Sequence, residues 1–221
     1  LSPKLIVSAK LFLLSVLIST FFGIPLGFYA ALKQGTPTDP AIVSLTLILY
    51  AMPVFLTAPL LIIIFALELG WVPVSGWGGI FDKRAILPAI TVGLPGIAVI
   101  ARLMRASTLD VIGQEFITFA KAKGVDRFSI NFKHVGRNAI LPVVTVLGLS
   151  FSGMLGGALI VELIFGIPGV ARFALDAIFS RDYPIIMALT LIGTASLVVA
   201  NLIVDILYVF LDPRIKYTNE N

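Results

Sequence analysis

The stretch TFAKAKGVDRFSINFKHVGRNAILP, residues 118–142, gathers Lys121, Lys123, Arg127, Lys133, His134 and Arg137 between strongly apolar segments. A solvated turn between two membrane spans needs only a few residues. This one is long, basic and patterned. Residues 113–123 hold Phe116, Ile117 and Ala120 with no helix breaker, and Gly124 is a natural C-terminal stop. Asp126 can cap a second helix in which Phe128, Phe132 and Val135 fall at i, i+4 and i+7. Such an apolar stripe needs a surface to lie against, while the cations face water, lipid phosphates or an acidic partner. The helix–glycine–helix organisation favours docking to a cytosolic protein over a solvated loop or a lipid-facing amphipathic helix.

The surrounding composition sets the context. Of the 221 residues, 58% are hydrophobic and 13% charged, against about a quarter charged in an average soluble domain, and the mean hydropathy is +1.05. Five apolar segments stand near the roughly 20 residues that cross a bilayer as helix: Leu5–Leu32, Ala41–Leu67, Ile86–Met104, Ala139–Val161 and Ile185–Leu211. The expected fold is therefore an all-α polytopic transmembrane helix bundle with five spans visible. Pro25, Pro53, Pro59 and Pro95 do not argue against helices, because neighbouring helices can satisfy the freed carbonyls. Gly23–Gly27 and Gly153–Gly157 are GxxxG patterns that permit close packing.

The net charge of +4 would suggest nucleic acid in a soluble protein, but the loops of a membrane protein explain it, and no nucleic-acid partner is expected. Cysteine is absent and His134 is the single histidine, which excludes disulfides, thiolate chemistry and multi-histidine metal clusters. The chain opens at Leu1 rather than a methionine, and the expectation is that a segment upstream is missing. Lysine and arginine counts place Lys33, Arg102, Arg105, the basic loop and Arg214 on the richer side, hence cytoplasmic together with the C-terminus.

On the opposite side, residues 68–85 carry Trp71 and Trp77 as interfacial anchors. Residues 162–184 contain Pro168, from which a short helix is expected with Val170, Phe173, Ala174 and Ala177 along one side. No nucleotide-binding G-x-x-x-x-G-K-[ST] occurs, nor any nucleophile–base–acid set. Asp205, one turn from Asn201, is expected to pair with Arg102 or Arg105. Among the hydroxyls of the spans, Ser150 and Ser152 lie mid-span beside small residues and are, with Asn201, candidates to line a substrate pathway. Most such hydroxyls are expected to bond back to helix carbonyls.

Phe119-Ala120-Lys121-Ala122-Lys123-Gly124, followed by His134, Arg137-Asn138-Ala139 and Pro142, resembles the cytoplasmic loop of ABC importer permeases. More narrowly, it is similar to the dipeptide/oligopeptide/nickel permease family. Glu162-x-Ile164-Phe165-x-x-Pro168-Gly169, Arg181-Asp182-Tyr183-Pro184 and Asp205 with Asp212-Pro213-Arg214 extend the resemblance from the third span onward. The general importer pattern is Glu-Ala-Ala, three residues, Gly and a later Leu-Pro. Here Thr118 and Phe119 replace the Glu and the first Ala, a departure that the peptide subfamily shares.

The resemblance implies a type I importer permease in a prokaryotic inner or plasma membrane, with six spans in the family and the first missing here. It implies one permease domain over 1–221, a cytoplasmic coupling loop over 108–138 and an extracytoplasmic loop with a short helix over 162–184. Thr118, Phe119, Ala120, Lys121, Ala122, Lys123, Gly124, Asp126 and Arg127 would contact the ATPase. Glu162, Arg172, Asp176, Arg181 and Asp182 would face the solute-binding protein. The implied partners are two cytosolic ABC ATPase subunits, a second permease subunit, the extracytoplasmic binding protein and membrane lipid. ATP and Mg would bind the ATPases, so this chain would carry no catalytic residue, metal or cofactor. The implied activity is import of di- or oligopeptides by alternating access. Nickel or saccharide import, and an ATP-independent carrier or channel, stand as alternatives.

Overall fold

The apolar runs fold as helices because a bilayer core offers no water to unpaired backbone groups, and a helix satisfies them within the segment. The computed structural model describes residues 2–150 and 158–211, with backbone only at residues 200 and 203–211. Among these residues every regular element is helical. Two helices form the spine, α1 (Ser2–Leu32) and α4 (Ile86–Ile112). With the 3-10 turn at Lys83–Ala85, α4 and likewise α1 are long and apolar enough to cross a membrane.

Their seam is made of small residues. A Cβ on Gly27 would collide with the Ala101 carbonyl, and one on Gly23 would lie 2.8 Å from the Ile100 Cβ. Further along, Gly93 faces Ser15 and Gly96 faces Ser19. Ser19 Oγ lies 2.8 Å from both the Gly93 carbonyl across the seam and the Ser15 carbonyl on its own helix, so one hydroxyl proton is shared between two acceptors. Residues 15, 19, 23 and 27 thus meet α4 in ascending order, and the two helices run parallel. The GxxxG of α1 is a packing face; residues 153–157, the second such pattern, lie outside the described residues, as does Ser152.

The second apolar segment departs from the expectation of one span over Ala41–Leu67. It divides into α2 (Thr38–Ala51) and α3 (Val54–Leu61), continued by a π-helical turn at Ile62–Glu68, with a bend of 100° between the halves. The proline ring at Pro53 disfavours helical geometry at the residue before it, and Met52 is extended, with ψ 117°. Pro25, Pro59 and Pro95, by contrast, lie within helices.

After α4 come α5 (Glu115–Ala122), a π-helical segment at Ser129–Gly136, and α6 (Arg137–Ala139) leading into α7 (Leu141–Ser150). The expected fourth span is therefore described only in its first part, by α7. α8 (Leu159–Ile164) and α9 (Val170–Phe179) build the outer segment. α10 (Tyr183–Leu211) covers the fifth expected segment and starts under a cap in which the Ile185 N–H donates to Asp182 Oδ1.

Two apolar clusters sit at opposite ends of the spine. One joins Phe28, Ile100, Met104, Val111, Ile117, Ile130 and Val135, and seats the basic loop. The other joins Leu11, Ala58, Leu87, Val161, Phe165 and Ile167, and seats the outer segment. The Gly76 N–H donates to the Phe165 carbonyl at 2.7 Å, tying the tryptophan-bearing loop to the same end.

Gly27→Val should cost more than the roughly 1–3 kcal/mol usual for overpacking, because the obstacle is backbone. The thermal midpoint of the detergent-solubilised protein measures it. Gly193→Ala is the control: nothing lies within 4 Å of its Cβ position in α10, and the midpoint should hold or rise, since a mid-helix glycine costs roughly 0.5–1 kcal/mol relative to alanine.

Candidate functional site

The basic loop is seated by a few residues and leaves the remainder outward. α4 ends at Ile112, and Gln114, extended at φ −78° and ψ 149°, turns the chain into α5. Ile117 is 0% exposed among Val111, Ile130 and Val135 and fixes α5 to the spine. At the far end the Val125 N–H donates to the Ala120 carbonyl and the Gly124 N–H to the Lys121 carbonyl, a Schellman closure that needs a left-handed residue. Gly124 supplies it with φ +75°. The first helix is thus two residues shorter at its start, and one at its end, than the 113–123 expected from sequence.

Asp126 then caps the next segment, its Oδ2 accepting from the Ser129 N–H at 2.8 Å. The Ser129 side chain and N–H hold the Asp126 carboxyl below the usual carboxylate range. The cap is therefore fully present above the ordinary aspartate pKa and lost as pH falls through the lowered one. The expected stripe of Phe128, Phe132 and Val135 is corrected. The segment is π-helical, and the buried residues are Ile130 and Val135, five apart. That spacing matches the i→i+5 hydrogen-bond repeat of a π-helix. Phe128 and Phe132 instead pair with each other, their ring centroids 4.6 Å apart, and Phe132 stands 5.5 Å from Phe28.

The outward face of α5 carries most of the residues picked from sequence. Thr118, Phe119, Lys121, Ala122, Lys123, Gly124, Asp126 and Arg127 are exposed, and Ala120 is half-buried toward the spine. Gly113, Glu115, Phe116, Thr118, Phe119 and Ala122 line a shallow cavity of about 590 Å³. Phe119 is 62% exposed, with the Lys123 ammonium 4.5 Å above its ring. A largely apolar floor with Glu115 in it and Lys123 at its edge is a surface that can take an apolar wedge with charge of either sign at its rim.

Behind the loop, an ion pair ties α4 to α2. Arg105 Nε reaches Asp39 Oδ1 at 2.6 Å, and its terminal nitrogen reaches Oδ2 at 2.7 Å, a bidentate fork in which Asp39 is buried. Arg102 lies 4.9 Å over the Tyr50 ring of α2. From the sequence, Asp205 is the expected partner of Arg102 or Arg105. Arg105 has Asp39 instead, and the Asp205 side chain lies outside the described residues. A usable signal existed: Asp39 is a carboxylate at the mouth of an apolar segment, on the same side as Arg105.

The outer segment turns on Glu162, which is 0% exposed. The Ser8 hydroxyl donates to its Oε1 at 2.6 Å, and the Arg172 N–H donates to Oε2 at 2.9 Å. Ser8 Oγ in turn accepts from the Val170 N–H at 2.8 Å. The N-terminus of α9 is therefore capped from a distance by a carboxylate and a hydroxyl, where Gly169 has no side chain to offer. A Cβ at Gly169 would overlap that carboxylate. Glu162 is thus a buried structural anchor and not a surface contact, which corrects its place among the docking residues. Arg172, Arg181 and Asp176 are exposed and Asp182 half-buried. Helix α9 starts at Val170, two residues later than expected; Val170 and Ala177 are buried, and Phe173 takes the Lys4 ammonium at 4.1 Å.

Of the pathway candidates, Ser150 is half-buried and donates to the Val146 carbonyl. It borders a cavity of about 210 Å³ together with Ser15, Ser19 and Gly96. Asn201 is exposed on α10. Thr46, Thr57, Thr194 and Ser196 bond back to carbonyls of their own helices.

Residues 23–217 match the family described as binding-protein-dependent transport system inner membrane component. The probable peptide ABC transporter permease protein y4tP of Sinorhizobium fredii is 38% identical over 98% of this chain and 71% of its own length. The oligopeptide transport system permease protein OppB of Haemophilus influenzae is 38% identical over 96% of this chain and 69% of its own. Among solved structures, inward-facing conformations of the MetNI methionine ABC transporter superpose with a TM-score of 0.76 at 14% identity, covering 96% of each chain. That likeness concerns the fold.

Glu162→Gln should loosen the cap of α9, at roughly the 1–3 kcal/mol cost of leaving a buried partner unsatisfied. Trypsin cleavage after Arg172 and Arg181 in the solubilised protein should accelerate, with Ser8→Ala acting in the same direction. Unchanged cleavage in both variants would remove the capping role.

Proposed function

The chain belongs to the family of binding-protein-dependent transport system inner membrane components, and we propose that it is the membrane-spanning permease subunit of an ATP-driven importer of di- or oligopeptides. The substrate class rests on the relatives, which are named as peptide and oligopeptide permeases. The observation that carries the mechanical reading is α5 itself: one face is locked to α4 through Ile117, and the other is exposed, with Phe116, Phe119 and Ala122 lining a shallow cavity beside Glu115, Lys121 and Lys123. A helix held this way transmits a push rather than absorbing it.

On this reading residues 108–138 form the cytoplasmic coupling loop, and Thr118 to Lys123, with Gly124, Asp126 and Arg127, enter a cleft of one of two cytosolic ATPase subunits. ATP and Mg bind and react there, and this chain does no bond chemistry of its own. A second permease subunit completes the pathway, with the C-terminus on the cytoplasmic side. Closure of the ATPases moves α5, and α4 carries the displacement to α1 through the glycine seam and to α2 through Arg105 and Asp39. The cavity between the halves then alternates between the two sides. Ser150, joined by Ser15 and Ser19, contributes mild polarity to the passage; Ser152 and Asn201 are the further candidates. Arg172, Asp176, Arg181 and Asp182 remain the contacts for the solute-binding protein.

The chain lacks cysteine, so a single cysteine at Ala122 can be cross-linked in native membranes. Capture of an ATPase subunit, with a yield that changes on adding ATP, is the expected result. A chain that transports while capturing nothing there would make it an ATP-independent carrier. Asp39→Asn separates docking from transmission: the Ala122 cross-link should persist while peptide uptake falls by roughly 5- to 150-fold, the range of typical coupling energies. Loss of the cross-link in that variant would mean that Asp39 acts only through loop placement.

A further inference from the structure

A cavity of about 520 Å³ opens beside the basic loop, within the roughly 300–1,000 Å³ range of small-ligand sites. Its walls are Ile24, Phe28 and Leu32 of α1, Met104 of α4, and Phe132 and Ile140 from the segment that follows α5. Tyr29 and Arg137 also line it. Arg137 is exposed, and the Lys33 ammonium lies 5.8 Å from the Tyr29 ring centroid. One cation therefore lines the groove and a second stands beside its Tyr29 wall, while the rest of the lining is apolar and, among the described residues, holds no carboxylate.

We propose that this groove binds an anionic phospholipid, with an acyl chain along Ile24, Phe28 and Met104 and the phosphate between Lys33 and Arg137. Several features favour that occupant. Five of its lining residues lie between Ile24 and Leu32 of α1, a helix long and apolar enough to cross the membrane, so bilayer lipid is within reach of the groove. Its charge is cationic only, Arg137 in the lining and Lys33 just past the end of α1, and a few cations beside a long apolar lining suit an anionic amphiphile. Basic pockets between membrane helices on the cytoplasmic side take anionic headgroups for the same electrostatic reason. The leaflet rests on the proposed orientation of the basic loop. One wall, Phe132, belongs to the segment packed behind α5, so an occupied groove props the coupling loop against α1.

The test uses the whole transporter reconstituted in vesicles of phosphatidylcholine and phosphatidylglycerol, with a trace of either lipid bearing a photoreactive acyl chain. Labelled peptides are mapped by mass. The phosphatidylglycerol probe should label residues 24–32 and 132–140, and the phosphatidylcholine probe should label them far less. Lys33→Glu and Arg137→Glu should each reduce phosphatidylglycerol labelling roughly fivefold, while Arg137→Lys should retain most of it. Equal labelling by both probes would reduce the groove to ordinary bulk-lipid contact and overturn the proposal. So would the absence of label, or cross-linking of Phe132 to another polypeptide, since a protein would then fill the groove. Labelling requires neither ATP nor docking, so its failure leaves the Ala122 result standing, and loss of the Ala122 cross-link leaves the lipid result standing.

Discussion

Because a Cβ at Gly27 would collide with the Ala101 carbonyl, α1 and α4 meet backbone to backbone, and whatever is attached to either helix inherits a fixed separation. In a bilayer, helix association draws little from the hydrophobic effect, since lipid tails are as apolar as leucine, and close approach with good van der Waals contact has to supply the attraction. Residues Ser15, Ser19, Gly23 and Gly27 do this along three turns. The hydroxyl of Ser19 adds a bond to the Gly93 carbonyl across the seam. The seam is parallel, so one end of α1 and one end of α4 always lie together, and each end needs its own closure.

The two closures use different physics. At the α9 end, a carboxylate with no cationic partner among the described residues is buried against the N–H groups that open α9, and a serine of α1 completes its hydrogen bonds. Burying a charge is costly unless it is fully hydrogen-bonded; here the donors are orphan N–H groups that themselves required acceptors. At the inner end, apolar burial of Ile117, Ile130 and Val135 seats the loop, and a bidentate Arg105–Asp39 fork joins α4 to α2. Neither closure depends on the exposed face of α5.

Much of this was legible in the sequence. Lengths of apolar run located α1, α4 and α10, and the GxxxG at Gly23 foretold the seam. Gly124 and Asp126 marked the stop and the cap of the loop because each meets a local requirement of the adjacent backbone. What escaped was non-local. Nothing within residues 41–67 distinguishes Pro53, which breaks the helix, from Pro59, which is absorbed; the difference arises in the tertiary setting. The π-helical register that buries Ile130 and Val135 is likewise invisible to a 3.6-residue periodicity. Glu162 read as a loop charge because its partners are 154 residues away at Ser8 and on a helix that its own segment precedes. The Arg105–Asp39 pair escapes for the same reason: the two residues stand 66 apart in sequence, and nothing local to either names the other.

These arrangements limit how the bundle can move. Separating α1 from α4 would lose the backbone-to-backbone contact at Gly23 and Gly27 and the Ser19–Gly93 bond, which supply the attraction between helices in lipid, so the pair is suited to move as one body. α5 is anchored to that body through Ile117, and the outer segment through Glu162 and Ser8. A displacement applied at α5 therefore reaches the opposite end of the spine without an intervening joint. The second apolar segment is different. It is fastened to the spine by Asp39 on α2 and by Ala58 of α3 in the apolar cluster with Leu11 and Leu87, and between these two fixings it is bent by 100° at Pro53. The spine is thus the part suited to carry force, and the break at Pro53 is the place where the second segment can change its own geometry.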